Sequence, residues 1–128
     1  MLPDPRWIAF ADEDLEVAGL VHRERYWGKA CFLSQQAAEK YLKSTLSPED
    51  RPRTHRIQDL VHRVGWVEDE GLRAALRRLD RFYLPSRYPD ALPGGLETGL
   101  PLEADASEAL ATARALRQRL WECFRPGA

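Results

Sequence analysis

Asparagine is missing from this 128-residue chain, and lysine is scarce, with three lysines against sixteen arginines. Few thermolabile amides suit a protein from a thermophile, a bias that genomic base composition also produces. Cysteine is nearly absent too. Cys31 and Cys123 show no C-x-x-C spacing, and a pair-forming or reactive role is the alternative to a buried one. Both fall within helical apolar patterns and read as small buried hydrophobes in a reducing compartment. Three histidines are too few for a zinc cluster and no H-E-x-x-H occurs, so neither metal nor cofactor is expected. Glycine-rich phosphate loops of the G-x-G-x-x-G or Walker type are missing. No run of about 18 apolar residues exists, so no membrane span is expected. The opening MLPDPRW reads as neither signal nor transit peptide, and a cytoplasmic protein is the expectation. With a formal net charge of −1, no bulk field draws the chain to nucleic acid or to an anionic membrane.

What is present is helical periodicity. Residues 27–46, WGKACFLSQQAAEKYLKSTL, read as one long helix around which the rest is organised. Trp27, Ala30, Cys31, Leu33, Ala37, Ala38, Tyr41, Leu42, Thr45 and Leu46 recur at three- and four-residue spacing. They cover more than half the helix circumference, so this helix packs against neighbours on two sides. A remaining polar strip carries Lys29, Gln36, Glu39, Lys40 and Lys43, with Glu39 and Lys43 in the favourable acid-first i,i+4 order. Phe32 falls on the same strip, where a large ring is out of place. It suggests either an interface in a homodimer or a cover from elsewhere in the chain.

Before this helix, Asp4-Pro5 opens helix one, with Asp as N-cap and Pro at the first helical position. Trp7, Ile8, Ala11, Leu15, Ala18 and Val21 form its apolar stripe as far as about Glu24. After Leu46, Pro48 and Pro52 break the pattern. Thr54 is the expected cap of a shorter helix with Ile57, Leu60, Val61 and Val64 inward, closing at Gly65. Helix four is expected over about 68–83, its outer side carrying Arg73, Arg77 and Arg81 as a solvated stripe. The segment 84–102 holds four prolines and three glycines and reads as a long loop, a length that usually means function or flexibility. Helix five opens at Asp105-Ala-Ser-Glu108, a capping-box-like signal, and runs to Phe124. No strand pattern or repeat appears. The expected fold is all-α: a single domain over 1–128, an antiparallel up-and-down bundle of four long helices and one short one. An all-helical chain offers no strand-to-helix nucleophile elbow, which weakens a Ser-His-Asp hydrolase reading.

The polar residues that attract attention are Gln36, Lys40 and Lys43 on helix two, His55 before helix three, and Arg87, Tyr88 and Asp90 in the long loop. Lys40 and Lys43 offer point charges to a phosphate, and Arg87 a planar fork. The plain alternative is that the lysines solvate an exposed face and His55 helps to cap helix three. For Arg87 the two readings are balanced, because Ser86-Arg87-Tyr88-Pro89-Asp90 pins polar groups between two prolines.

Several of these residues come in a recognisable order. Ala11, Asp14, Ala18 and Leu20 are followed by Gln35-Gln36-Ala37-Ala38-Glu39-Lys40-Tyr41-Leu42-Lys43. Then come Thr54-His55-Arg56-Ile57-Gln58-Asp59-Leu60 and Ser86-Arg87-Tyr88-Pro89-Asp90. In order and spacing the chain resembles the HEPN domain over nearly its whole length. The resemblance implies a helical bundle, frequently dimeric. It also implies frequent pairing with a minimal nucleotidyltransferase, as toxin–antitoxin couples or two-part nucleotide-binding systems. Many HEPN proteins are metal-independent ribonucleases with an Arg-x(4–6)-His motif near the start of the last bundle helix. This chain departs from that pattern, since Leu92, Pro93 and Gly94 stand where the histidine after Arg87 belongs. A formal match from Arg56 to His62 lies on the short third helix. With sixteen arginines and three histidines, about one such match arises by chance.

The preferred expectation is a non-catalytic HEPN module, partner of a nucleotidyltransferase, binding a nucleotide or RNA phosphate. Its candidate contacts are Gln36, Lys40, Lys43, His55, Arg87, Tyr88 and Asp90. The first alternative is an RNA endonuclease toxin with a divergent site at Arg87 and Tyr88. The second is a helical dimerisation protein without a ligand.

Overall fold

Among the described residues, 2–82 and 101–125, the computed structural model holds five α-helices and no strand. They are α1 (Pro5–Arg23), α2 (Trp27–Lys43), α3 (Ile57–Val64), α4 (Glu70–Leu79) and α5 (Glu103–Phe124), with a 3-10 turn at Asp80–Phe82 after α4. The bundle fold expected from the periodicity is present. Asp4 caps α1 as its sequence suggests, its carboxylate accepting from the Arg6 amide at 2.9 Å, with Pro5 beginning the helix. At the other end Arg25 takes a left-handed φ of 68°, and the Tyr26 amide donates to the Val21 carbonyl at 2.8 Å. That tight reversal lays α2 back along α1.

Helix α2 is the centre, packed against α1, α5 and α3. Ala30, Cys31, Ala37, Ala38, Tyr41 and Leu42 are fully buried, and so are the polar Ser34 and Gln35. The polar strip expected on this helix is therefore narrower than its sequence implies. Glu39 and Lys43 keep only 5 % and 7 % exposure, because the start of α1 and the loop after α2 fold over them. The helix stops at Lys43 instead of reaching Leu46. The Ser44 and Thr45 hydroxyls donate to the Tyr41 and Leu42 carbonyls, drawing the chain into a tighter turn.

Helix α3 is capped differently from the sequence expectation. Thr54 lies outside it; its hydroxyl accepts from the Arg56 amide and donates to Asp59. The capping group comes from Asp80, whose carboxylate accepts from the Ile57 and Gln58 amides at 2.6 and 3.1 Å. Burial pushes this carboxyl up, and the two amides oppose the shift. Gly65, at φ 73°, ends the helix as expected. Helix α4 begins at Glu70, with Asp69 accepting from the Leu72 amide. It is shorter than expected, the chain tightening into the 3-10 turn that carries Asp80. The arginine stripe is not uniformly solvated, since Arg81 pairs with Asp105 at 3.1 Å and lies over the Phe82 ring.

Helix α5 starts two residues before Asp105, which accepts from the Leu102 amide at 2.9 Å. A leucine side chain offers no acceptor in return, so only half a capping box forms. The cysteines part ways. Cys31 is buried, its thiol pushed up to about 12 mainly by that burial, and stays protonated. Cys123 is exposed, contrary to its reading as a core residue, because its position on α5 turns away from the bundle. Nearly all of the expected loop at 84–102 lies outside the described residues. No described helix is long and apolar enough to cross a membrane.

Candidate functional site

The second half of α2 and the loop after it build one continuous polar network. At its centre the buried Glu39 carboxylate accepts from the Lys43 ammonium at 3.0 Å and faces His55 Nδ1 at 3.2 Å. A carboxylate at that nitrogen holds the ring proton there and fixes the plane of the half-exposed imidazole. The His55 carbonyl accepts from Gln35 at 2.9 Å, and Gln36 donates to the Gln35 side-chain oxygen at 2.7 Å. His55 therefore joins the network by ring and backbone both, and it does not cap α3.

Arg51 closes the other flank. Its Nε donates to the Lys43 carbonyl at 3.1 Å, satisfying one of the acceptors left over at the end of α2. Its Nη2 reaches Asp4 at 3.4 Å, and its guanidinium lies 5.0 Å from the centre of the Trp7 ring. Lys43 approaches the same ring at 5.9 Å. Asp4, held by both Arg6 and Arg51, is lowered to about 2, with Arg6 the larger cause.

Of the residues singled out by sequence, Gln36, Lys43 and His55 thus meet through Gln35 and Glu39. Lys40 lies elsewhere, paired with Asp14 of α1. Arg87, Tyr88 and Asp90 lie outside the described residues. Phe32 is half-buried, one helical turn before Gln36. Both lysines carry their own carboxylate, so neither presents an uncommitted charge to a phosphate. Sequence reasoning passed over Gln35, Arg51 and Trp7. Arg51 sits in SPEDRPRTH, which reads as a helix breaker, and Trp7 reads as core. Only the acid-first spacing of Glu39 and Lys43 hinted at the pair that holds the network.

A second polar group bridges α1, α2 and α5. The fully buried Tyr41 donates its hydroxyl to Asp12, and Arg117 Nε donates to the same carboxylate at 2.9 Å. Burial, followed by Asp12, pushes the phenol up, so it remains a hydrogen-bond donor. Beside it an open groove of about 650 Å³ runs between α1 and α5, where Asp12 and Glu16 offset much of the charge of Arg23, Arg114 and Arg117.

Known proteins share this fold. The HEPN domain family model matches residues 5–123. The crystal structure of TT1696 from Thermus thermophilus superposes with a TM-score of 0.80 at 31% identity, covering 92% of this chain and 95% of that one. ST0689, described as an archaeal HEPN homologue, gives a TM-score of 0.75 at 32% identity, with 97% and 99% covered. No curated protein matches the chain. The family match over almost the whole length, together with relatives above 30% identity, gives one conclusion: this chain belongs to the HEPN domain family.

Proposed function

We propose that this chain is a non-catalytic HEPN module, the partner of a minimal nucleotidyltransferase in a toxin–antitoxin pair or a two-part nucleotide-binding system. The observation that carries this reading is the departure after Arg87. Leu92, Pro93 and Gly94 occupy the positions of the motif histidine, and none of them can transfer a proton. The described network adds support, because Lys40 and Lys43 are engaged by Asp14 and Glu39 as structural pairs. Contact with a nucleotide or RNA phosphate then falls to the Arg87 fork, with Gln36, His55, Tyr88 and Asp90 as further candidate contacts. Phe32 serves as a contact in a homodimer. The test has two arms. Expressed together with a nucleotidyltransferase encoded beside it, the protein should elute as a two-protein complex. Incubated alone with RNA and no metal, it should leave the RNA intact. Failure to form the complex removes the partnership.

One observation favours a second reading, a divergent ribonuclease. A buried carboxylate orienting a half-exposed imidazole, as Glu39 does for His55, is the geometry of a general base. RNA cleavage abolished by both Arg87→Ala and His55→Gln would establish that reading in place of the first. Loss in His62→Ala alone would instead point to the Arg56 and His62 match.

A further inference from the structure

The bundle turns two unremarkable sequence features into one pocket. On α3, Gln58, Val61 and His62 stand at i, i+3 and i+4. On α4, Arg73 and Arg77 stand four apart. The packing of these helices sets the two faces against each other around a cavity of about 90 Å³, lined by those five residues. Two arginines, a histidine and a glutamine thus line one small space together with the buried Val61. No carboxylate lines it among the described residues. Arg73 Nη1 lies 3.7 Å from Glu70, whose side chain is 82 % exposed, so that pair is screened by solvent. Arg73 Nε is buried without an acceptor among the described residues. The Arg77 side chain makes no hydrogen bond or ion pair among the described residues.

We propose that this cleft binds a phosphate monoester, taking the dianionic terminal group itself. The lining decides the class. Two arginines with no carboxylate among the residues around a cavity of about 90 Å³ suit a small oxyanion. The donors suit such a group, because each guanidinium offers paired N–H bonds to two oxygens and Gln58 and His62 each add one. Recognition is therefore of a phosphorylated end, indifferent to the base behind it. The cleft shares no residue with the α2 network, and the proposal stands whether or not a nucleotidyltransferase partner exists.

The test is binding to a fluorescent oligoribonucleotide carrying either a 5′-phosphate or a 5′-hydroxyl, alongside inorganic phosphate followed by the His62 ring resonances. The phosphorylated end should bind at least tenfold more tightly. Arg77→Gln and Arg73→Gln should each erase that preference while circular dichroism remains helical, whereas Arg125→Gln should leave it intact. A His62 shift with inorganic phosphate, absent in Arg77→Gln, together with no preference for the phosphorylated RNA, would keep the pocket and assign it to a small free phosphate. Equal binding of both RNA ends and no His62 response to phosphate would overturn the proposal.

Discussion

Replacing Lys43 with methionine leaves the Glu39 carboxylate, 5 % exposed, with the His55 imidazole as its remaining polar side-chain neighbour. Breaking a nearly buried pair from one side strands a charge, so Lys43→Met should cost about 3–5 kcal/mol in urea unfolding. Adding Glu39→Leu should recover part of the loss, because two apolar side chains need no hydrogen bonds. A larger loss in the double variant would show that Glu39 is held for its bond to His55. Asp4 gives a pH-dependent prediction. Its folded value of about 2 lies below the ordinary 3.8, so its contribution is complete above about pH 4 and is lost as pH falls toward 2. Between pH 5 and 2.5 the melting temperature of the wild type should fall further than that of Asp4→Asn, which keeps a good N-cap. At this scale the site was half legible. Sequence spacing identified the Glu39–Lys43 pair, but the burial of both residues depends on Arg51 in the loop after α2 and on Trp7 of α1, which no helical periodicity links to them.

Element boundaries show the same division between local and distant causes. Asp4-Pro5 and Gly65 mark helix ends by chemistry contained in the neighbouring residues, and there the expected limits hold. Thr54 satisfies the local rule for a cap and yet is not one, because Asp80, 23 positions away from Ile57, provides a better-placed acceptor. No local pattern reveals that. Asp80→Ala should destabilise the protein by about 1–2 kcal/mol, read from the denaturant midpoint, with Asp80→Asn milder because one acceptor oxygen remains. Equal stability of Asp80→Ala and wild type would mean that water replaces the carboxylate at the start of α3. The central position of α2 was legible for a different reason. Small and apolar residues on most of its sides leave no other environment for it.

For the whole molecule, the expected outcome is self-association through the side of α2 that carries Phe32. The protein should sediment as a dimer at high micromolar concentration, and Phe32→Glu should yield a folded monomer, since a charge is costly to bury unpaired. If instead the ring is covered within one chain, the same variant should melt earlier with no change in mass. Family membership was legible because its longest motif, Gln35–Lys43, lies within α2, the helix at the centre of the bundle. The pocket between α3 and α4 was not, because it depends on how two short helices face each other.

The reach of Asp80 also sets the order in which the structure can mature. An eight-residue helix does not persist alone, and the first amides of α3 are sealed by a carboxylate 22 positions beyond Gln58. On the ribosome, α3 therefore waits for a residue translated well after its own last turn. In the finished protein the Ile57 and Gln58 amides should exchange with deuterium only when the end of α4 lifts away, which makes these two segments one cooperative opening unit.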